Sequence, residues 1–569
     1  MTENKFAGKP FYLSDADARW VEETWAVMSE DEKIGQLFFM VGYRRDEEFL
    51  RHVAQDLHIG GLMCRCMPEE DVIGTVSVLQ TNARIPFLIA ANLEAGGNGV
   101  TPAGTKVGSQ MAAAATGEVE SAYLLGKVCA REAKSVGVNF AFAPVCDIDL
   151  NFRNPITNTR TYGADGNTVL AMAKAYMRAC DEQGICTSAK HFPGDGVDER
   201  DQHLLSSVNS LSCEEWDESY GKIYKGMIDA GVKAVMVGHI MQPAWSRRLC
   251  PEIEEEDIMP ASLSKELLQG LLRERLGFQG LIITDATTMA GFAAAMPRSE
   301  AVPGAIAAGC DMFLFTKNLD EDLRFMRQGV RDGTITPERL EDAVKRVLAL
   351  KASLGLHRQE NLPNAAEAEK ILSCAEHKAI AQKIADESIT LVKEEKGVLP
   401  ISPASHKRIL VYDIEGGANP LGYNRTLGVT TQLIALFEKE GFAVERFVPG
   451  DVYEGTQSSF EEMCSQYDLM LYVCNLGTKS NQTTVRIEWM NPMGINVPVY
   501  MKSIPTIFVS LENPYHLLDV PRVRTYINTY GVNDYTLPLL VDKLMGRSDF
   551  RGISPVDPFC GKWDAKLTR

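Results

Sequence analysis

The chain has 569 residues, 45% hydrophobic and 24% charged, with a formal net charge of -18. That length exceeds one ordinary core and calls for two or three domains. The acidity disfavours nucleic-acid phosphates or anionic membranes as partners. No apolar stretch approaches the roughly 20 residues a spanning helix needs.

The opening Met1-Thr2-Glu3-Asn4-Lys5 has neither the basic start nor the apolar run of a secretory signal. The 13 cysteines are odd in number, scattered, mostly inside apolar runs, and form no CxxC pair. They read as small core residues of a cytoplasmic protein, with no disulfide framework or zinc site.

Eight short apolar runs follow in order, at 34–40, 60–64, 87–91, 138–144, 186–191, 234–239, 281–285 and 312–315. Amphipathic helical patterns at 112–135, 170–182 and 264–276 lie between them. Strands this apolar, alternating with helices, imply a parallel sheet covered on its outer side, and eight of them fit a (β/α)₈ barrel. A helix over 337–354 closes it, and 359–364 reads as a linker. One long helix is expected over 365–388. From residue 408 a second strand–helix alternation appears, with strands at 409–412, 469–474, 506–511 and 525–529 and helices at 430–441 and 537–545. The expected organisation is an α/β chain: a TIM-like barrel over 1–355, a linker and connecting helix over 356–400, and a three-layer α/β sandwich over 401–569.

In such a barrel the chemistry sits where the strands end. Polar residues fall there: Glu94, Asp147, Lys190, His191, His239 and Asp285. Any one of them reads equally as a turn former, but five strand ends converging on one rim mark a site. The most specific stretch is Lys190-His191-Phe192-Pro193-Gly194-Asp195-Gly196, followed by Asp201-Gln202-His203. Proline and two glycines after a strand force a tight, exposed turn. Taken alone, Asp201-x-His203 is a solvated loop. A functional reading needs that loop folded over the pocket, so that the carboxylate orients the imidazole.

Lys-His-Phe-Pro-Gly-x-Gly, with Asp201 eleven and His203 thirteen positions after Lys190, resembles the signature of the β-N-acetylglucosaminidases of glycoside hydrolase family 3. The segment Gly277-Phe278-Gln279-Gly280-Leu281-Ile282-Ile283-Thr284-Asp285 resembles that family's nucleophile segment. The resemblance implies a retaining, two-step β-glycosidase with Asp285 as nucleophile and an Asp201–His203 acid/base pair. It implies sugar contacts from Arg160, Lys190, His191 and His239. Each of these also has a structural reading: Arg160 as a loop tie, Lys190 paired with a barrel carboxylate, His239 as a satisfied rim histidine.

The sequence departs from the family pattern after the third strand. Many relatives carry Asp-x-Glu-Gly-Gly-Arg, where this chain has Asn92-Leu93-Glu94-Ala95-Gly96-Gly97-Asn98. Asn92 and Glu94 are then the candidate hydroxyl contacts, with an amide replacing a charged acceptor. A small carbohydrate is the expected partner. A neutral imidazole does not repel an incoming anion, so phosphate stays open as an acceptor beside water. A family 3 β-glucosidase or xylosidase and a non-catalytic sugar-binding protein are the alternatives; the last is expected to have lost Asp285 or the dyad. No metal or cofactor is implied, because the His and Asp residues show no ligand spacing. Oligomeric state is not encoded in these motifs.

Overall fold

The computed structural model describes residues 5–358, 360–415, 428–448, 459–478, 480–481, 483, 486–490 and 494–568. The first four residues of the chain and Gln359 at the start of the expected linker lie outside this set.

All eight apolar runs form strands: β1 (Phe38–Val41), β2 (Gly61–Met63), β3 (Leu88–Ala91), β4 (Phe140–Ala141), β5 (Cys186–Phe192), β6 (Ala234–Val237), β7 (Leu281–Thr284) and β8 (Phe313–Leu314). They make one parallel sheet in the order β8-β1-β2-β3-β4-β5-β6-β7. A bridge between Ile283 and Met312 joins the two ends, leaving an almost closed α/β barrel. Its strands are apolar on both faces because side chains pack inside the barrel and helices cover it outside.

The seam between β7 and β8 carries a buried ion network. Asp311 accepts from Arg273 Nη2 at 2.7 Å, from the Ile282 N–H at 2.8 Å and from Arg339 Nη2 at 2.5 Å. Arg273 also donates to the carbonyls of Phe278 and Gly280 at 3.0 and 2.6 Å. One carboxylate thus ties β7, the lead into β8 and two outer helices, Glu266–Arg275 and Pro337–Ser353, where strand hydrogen bonds are sparse.

The second sheet contains β9 (Thr390–Lys393), β10 (Arg408–Glu415), β11 (Ala443–Arg446), β12 (Leu469–Asn475), β13 (Thr506–Ser510) and β14 (Thr525–Asn528), in the order β9-β14-β13-β12-β10-β11. Only β9 runs antiparallel to its neighbour among these pairings. Alternate residues feed two cores. Ile409, Val411, Leu469 and Leu471 pack on one side, while Leu410, Tyr412, Met470 and Tyr472 pack on the other. That period of two, with both faces covered, makes the sheet the middle layer of an α/β sandwich.

Several details differ from the sequence reading, among them strand β9 (Thr390–Lys393), which joins the second sheet from within the stretch expected as linker and connecting helix over 356–400. The helix expected over 112–135 is two, Gln110–Ala115 and Val119–Ser135, parted at Gly117, whose φ of +76° stops helical hydrogen bonding. The helix expected over 365–388 is also two, Ala365–Ile371 and Ala375–Ser388, parted at Ser373 with φ +46°. The strand β11 was not expected, because as an edge strand it is largely exposed and lacks an apolar run. The helical pattern at 264–276 forms a helix over Glu266–Arg275 that is wider than an α-helix.

The two units meet through polar contacts around a small apolar patch of Met111, Ala112, Ala115, Tyr515, Tyr530 and Val556. Ser109 donates to the Tyr530 carbonyl at 2.7 Å, and Tyr515 donates to Asp149 Oδ2 at 2.5 Å. Burial pushes the Asp149 carboxyl up to about 6, against the hydrogen bonds from Tyr515 and Thr157.

Asp311→Ala leaves the buried Arg273 guanidinium without its carboxylate, while Arg339 keeps Asp342, and is expected to lower stability by roughly 3–5 kcal/mol. Urea unfolding followed by circular dichroism checks this. A midpoint unchanged from wild type would remove the network from the account of barrel closure.

Candidate active site

The site is assembled at the C-terminal ends of β3, β4, β5, β6 and β7. Asp285 directly follows β7, and its backbone N–H donates to the Val237 carbonyl at the end of β6, at 2.8 Å. One carboxylate oxygen accepts from the Ala286 N–H at 2.7 Å, and the other lies 3.9 Å from His191 Nε2. Burial works to raise its pKa. The imidazoles of His191, His239 and His203 outweigh burial and hold the carboxyl below the usual carboxylate range. An ionised, partly solvent-reachable carboxylate at this position is a competent nucleophile.

His191 is fixed from the other side. Its Nδ1 is 2.7 Å from Asp147 Oδ2, and its N–H donates to Asp147 Oδ1 at 3.1 Å. Asp147 Oδ1 also accepts the Asp195 N–H at 2.8 Å. Asp147 therefore sets both the ring and the turn that follows β5.

That turn needs its glycines. A Cβ on Gly194 (φ +122°) would lie 2.1 Å from the Tyr220 ring, and one on Gly196 (φ +104°) would lie 1.9 Å from the Ile148 carbonyl. Tyr220 donates to the Asp195 carbonyl at 2.5 Å and locks the turn from outside.

Glu94, after β3, accepts Arg160 through two parallel bonds, Nε to Oε2 at 2.9 Å and Nη2 to Oε1 at 2.8 Å. Lys190 Nζ lies 2.7 Å from the same Oε1. Burial works to raise the Glu94 pKa, but these two cations hold the carboxyl well below its usual range. The result is a preorganised set of charged donors and acceptors of the kind that binds sugar hydroxyls.

The Asp201–His203 loop does fold over this rim. His203 Nδ1 is 2.7 Å from Asp201 Oδ1, which also accepts the His203 N–H at 2.8 Å. Asp201 is buried, whereas the His203 side chain keeps 24% of its surface open. The loop is laced to the segment after Asp285: Ala290 N–H donates to the His203 carbonyl at 3.1 Å, and Gly291 N–H to the Gln202 carbonyl at 3.0 Å.

Two candidate residues sit differently from the sugar-binding set. The His239 ring nitrogens lie 2.8 Å from Ser262 Oγ and 3.0 Å from the Ala286 carbonyl, so the protein itself occupies both. Burial depresses His239 to about 4, against the nearby Asp285 charge, and leaves the ring neutral at pH 7. It braces the segment beside Asp285. Asn92 is exposed, with its backbone carbonyl against Gly99.

The architecture matches known proteins over its whole length. The family model for the glycosyl hydrolase family 3 N terminal domain fits residues 29–350. The chain belongs to glycoside hydrolase family 3. A curated relative named beta-N-acetylglucosaminidase/beta-glucosidase, from Cellulomonas fimi, is 56% identical over 558 residues, covering 98% of this chain and 99% of the relative. A solved structure of the beta-glucoside phosphorylase BglX superposes with a TM-score of 0.93 at 45% identity, over 99% of this chain and 100% of that one. A family 3 beta-N-acetylglucosaminidase from Paenibacillus sp. str. FPU-7 shares the fold, with a TM-score of 0.78 at 23% identity, over 94% of this chain and 99% of that chain. The protein is thus a glycoside hydrolase acting on carbohydrate.

Sequence reasoning treated Gln202 in this family 3 enzyme as a spacer. It is fully buried; its Nε2 donates to Asp195 Oδ2 at 3.3 Å and its Oε1 accepts the His239 N–H at 2.7 Å. An amide flanked by two polar loop residues gave no signal of its own. Asp147 was visible only as a polar strand end.

Among the described residues one grouping gathers metal-ligand atom types, Cys374, Glu376 and His377, all within 4.8 Å of one another. It lies on the connecting helix, away from the rim. Glu376 is held by Lys127 and Arg131, and His377 by Glu132. No helix among the described residues is long and apolar enough to cross a membrane.

His239 makes a pH prediction. Its folded pKa of about 4 lies below the ordinary 6.5, so the unfolded chain binds the extra proton between those values. Stability therefore falls as pH drops from the ordinary value towards the folded one. From pH 7.5 to 5 this single group is expected to remove roughly 2 kcal/mol. Urea denaturation at both pH values checks this, with His239→Gln expected to flatten that part of the slope. An identical slope in the variant would contradict a neutral His239.

Proposed function

We propose that the enzyme cleaves terminal β-linked N-acetylglucosaminides or glucosides by two displacements at the anomeric carbon, with Asp285 as nucleophile and His203, held by Asp201, as acid/base. The observation that carries this is the pairing of an ionised Asp285 at a strand end with an Asp201-held, solvent-reachable imidazole on a loop tied to the same segment.

In the first step an Asp285 oxygen attacks C1, and the C1–O bond to the aglycone breaks. The departing oxygen takes the proton of His203, leaving a glycosyl ester and a neutral imidazole. In the second, an acceptor oxygen attacks C1 from the face the aglycone left, and Asp285 departs as a carboxylate. Two inversions give net retention. Glycosidases of this type ordinarily use two carboxylates; here Asp201 and His203 together stand for one. Asp201 fixes the ring so that Nε2 faces the leaving oxygen. Glu94, Arg160 and Lys190 supply the hydroxyl-binding set, and His191 holds the nucleophile's orientation. The Cellulomonas fimi relative, named for both N-acetylglucosaminide and glucoside cleavage, supports this pair of sugars.

A second reading concerns the acceptor. When water attacks, His203 removes its proton. Hydrogen phosphate needs no such help and meets no anionic acid/base residue on its way in. The likeness to the beta-glucoside phosphorylase BglX supports phosphate as an acceptor that yields a sugar 1-phosphate.

An aryl-glycoside panel run with and without phosphate tests both readings. The expected result is turnover of N-acetylglucosaminide or glucoside, with β-configured sugar 1-phosphate appearing only when phosphate is present. Free sugar alone, at an unchanged rate, would leave water as the acceptor. Asp285→Ala should lower kcat by about 10⁴-fold or more. A variant turning over at the wild-type rate would sink the nucleophile assignment.

A further inference from the structure

The carboxylate that orients His203 is held in part by the other sheet. Asp201 Oδ1 accepts two bonds from His203 itself, and Oδ2 accepts the backbone N–H of Asn481 at 2.7 Å. Asn481 lies beyond β12, 280 positions away in sequence. Asp201 is only 2% exposed. A buried carboxylate oxygen left without a donor is costly, and among the described residues this N–H is the donor that satisfies Oδ2.

The stretch bearing Asn481 is anchored at both ends to one short turn. At its start, the Leu476 carbonyl lies 3.3 Å from His516 Nε2. At its end, Arg486 Nε donates to Asp519 Oδ1 at 2.6 Å, and the Ile487 N–H donates to Asp519 Oδ2 at 3.4 Å. His516 and Asp519 are themselves paired at 3.3 Å. Asn481 adopts φ +68°, a left-handed conformation that asparagine tolerates and β-branched residues do not.

We propose that Asn481 is a positioning residue of the α/β sandwich: its N–H fixes Asp201, and through Asp201 the His203 ring, so that leaving-group protonation depends on the second sheet. This rests on the reading of His203 as proton donor. An aglycone that departs unaided does not use that proton, so loss of the contact has a signature that general destabilisation lacks.

The test compares kcat/KM for a 2,4-dinitrophenyl glycoside, which needs no proton, with that for an alkyl glycoside, which does. Asn481→Val withdraws the donor from its left-handed conformation. It is expected to slow the alkyl glycoside about tenfold while the dinitrophenyl rate changes less than about twofold. Asn481→Gly keeps the N–H and tolerates the conformation, so it should retain both rates. Asp519→Asn, which loosens the anchor, should reproduce the Asn481→Val pattern more weakly. A uniform loss on both substrates, or no loss, in Asn481→Val would overturn the proposal. His203→Gln separates the two levels of argument. If it shows no leaving-group dependence, the acid/base reading fails and takes this inference with it. If it does and Asn481→Val does not, only the role of Asn481 fails.

Discussion

The Asp147 carboxylate, buried beyond the end of β4, is the contact on which the order of the rim depends. It takes the imidazole and N–H of His191 and the N–H of Asp195, so a single charge fixes the end of β5 and the turn after it. The effect propagates. His191 is left facing Asp285, while Asp195, pushed up to about 6 by burial and by the adjacent Asp147 charge, receives Gln202. Gln202 in turn holds His239, whose ring steadies Ala286. In an interior of low polarisability such a chain is strong when every member is satisfied and costly when one is not. The network explains why a loop rich in glycine presents its groups in one geometry.

Much of the architecture was legible because parallel strands covered on both faces must be apolar throughout. The runs at 60–64, 87–91 and 281–285 announce themselves by composition alone, and polar residues ending them mark the rim. The edge strand β11 carries no such signal, since it is half solvated. The break at Ser373 is equally silent, because the positive φ falls on serine rather than on glycine. For the site, Asp285 and Lys190 stand out as polar strand ends, while the Asp201–His203 pair stands out only through the family resemblance. Gln202 does not stand out, because its role comes from what it touches across the fold. The resemblance gives His239 a sugar contact; its occupied ring nitrogens instead fit the alternative of a satisfied rim histidine.

The two sheets divide the work unequally. The barrel supplies every group proposed to touch sugar, while the sandwich supplies groups that hold barrel loops. Tyr515 fixes Asp149, and Asn513 lies 3.2 Å from Asn158, in the loop that also bears Arg160. These contacts are polar and directional rather than broad and apolar. They set the positions of loops, and the barrel's stability rests on its own core and on the Asp311 network.

The Glu94 cluster has one more consequence. In the resting site Glu94 faces two cations, Arg160 and Lys190, and the Asp147 and Asp285 carboxylates also act on Arg160. On the proposed mechanism, tying the Asp285 oxygen up in an ester removes one of these negative charges beside the two cations. The covalent half of the proposed cycle would then present a less negative site than the free enzyme. In a site screened from water such a change acts strongly at short range. On the proposed mechanism an anionic acceptor meets less repulsion at the one stage when it can react, so Asp285 itself would act as the gate for the second substrate.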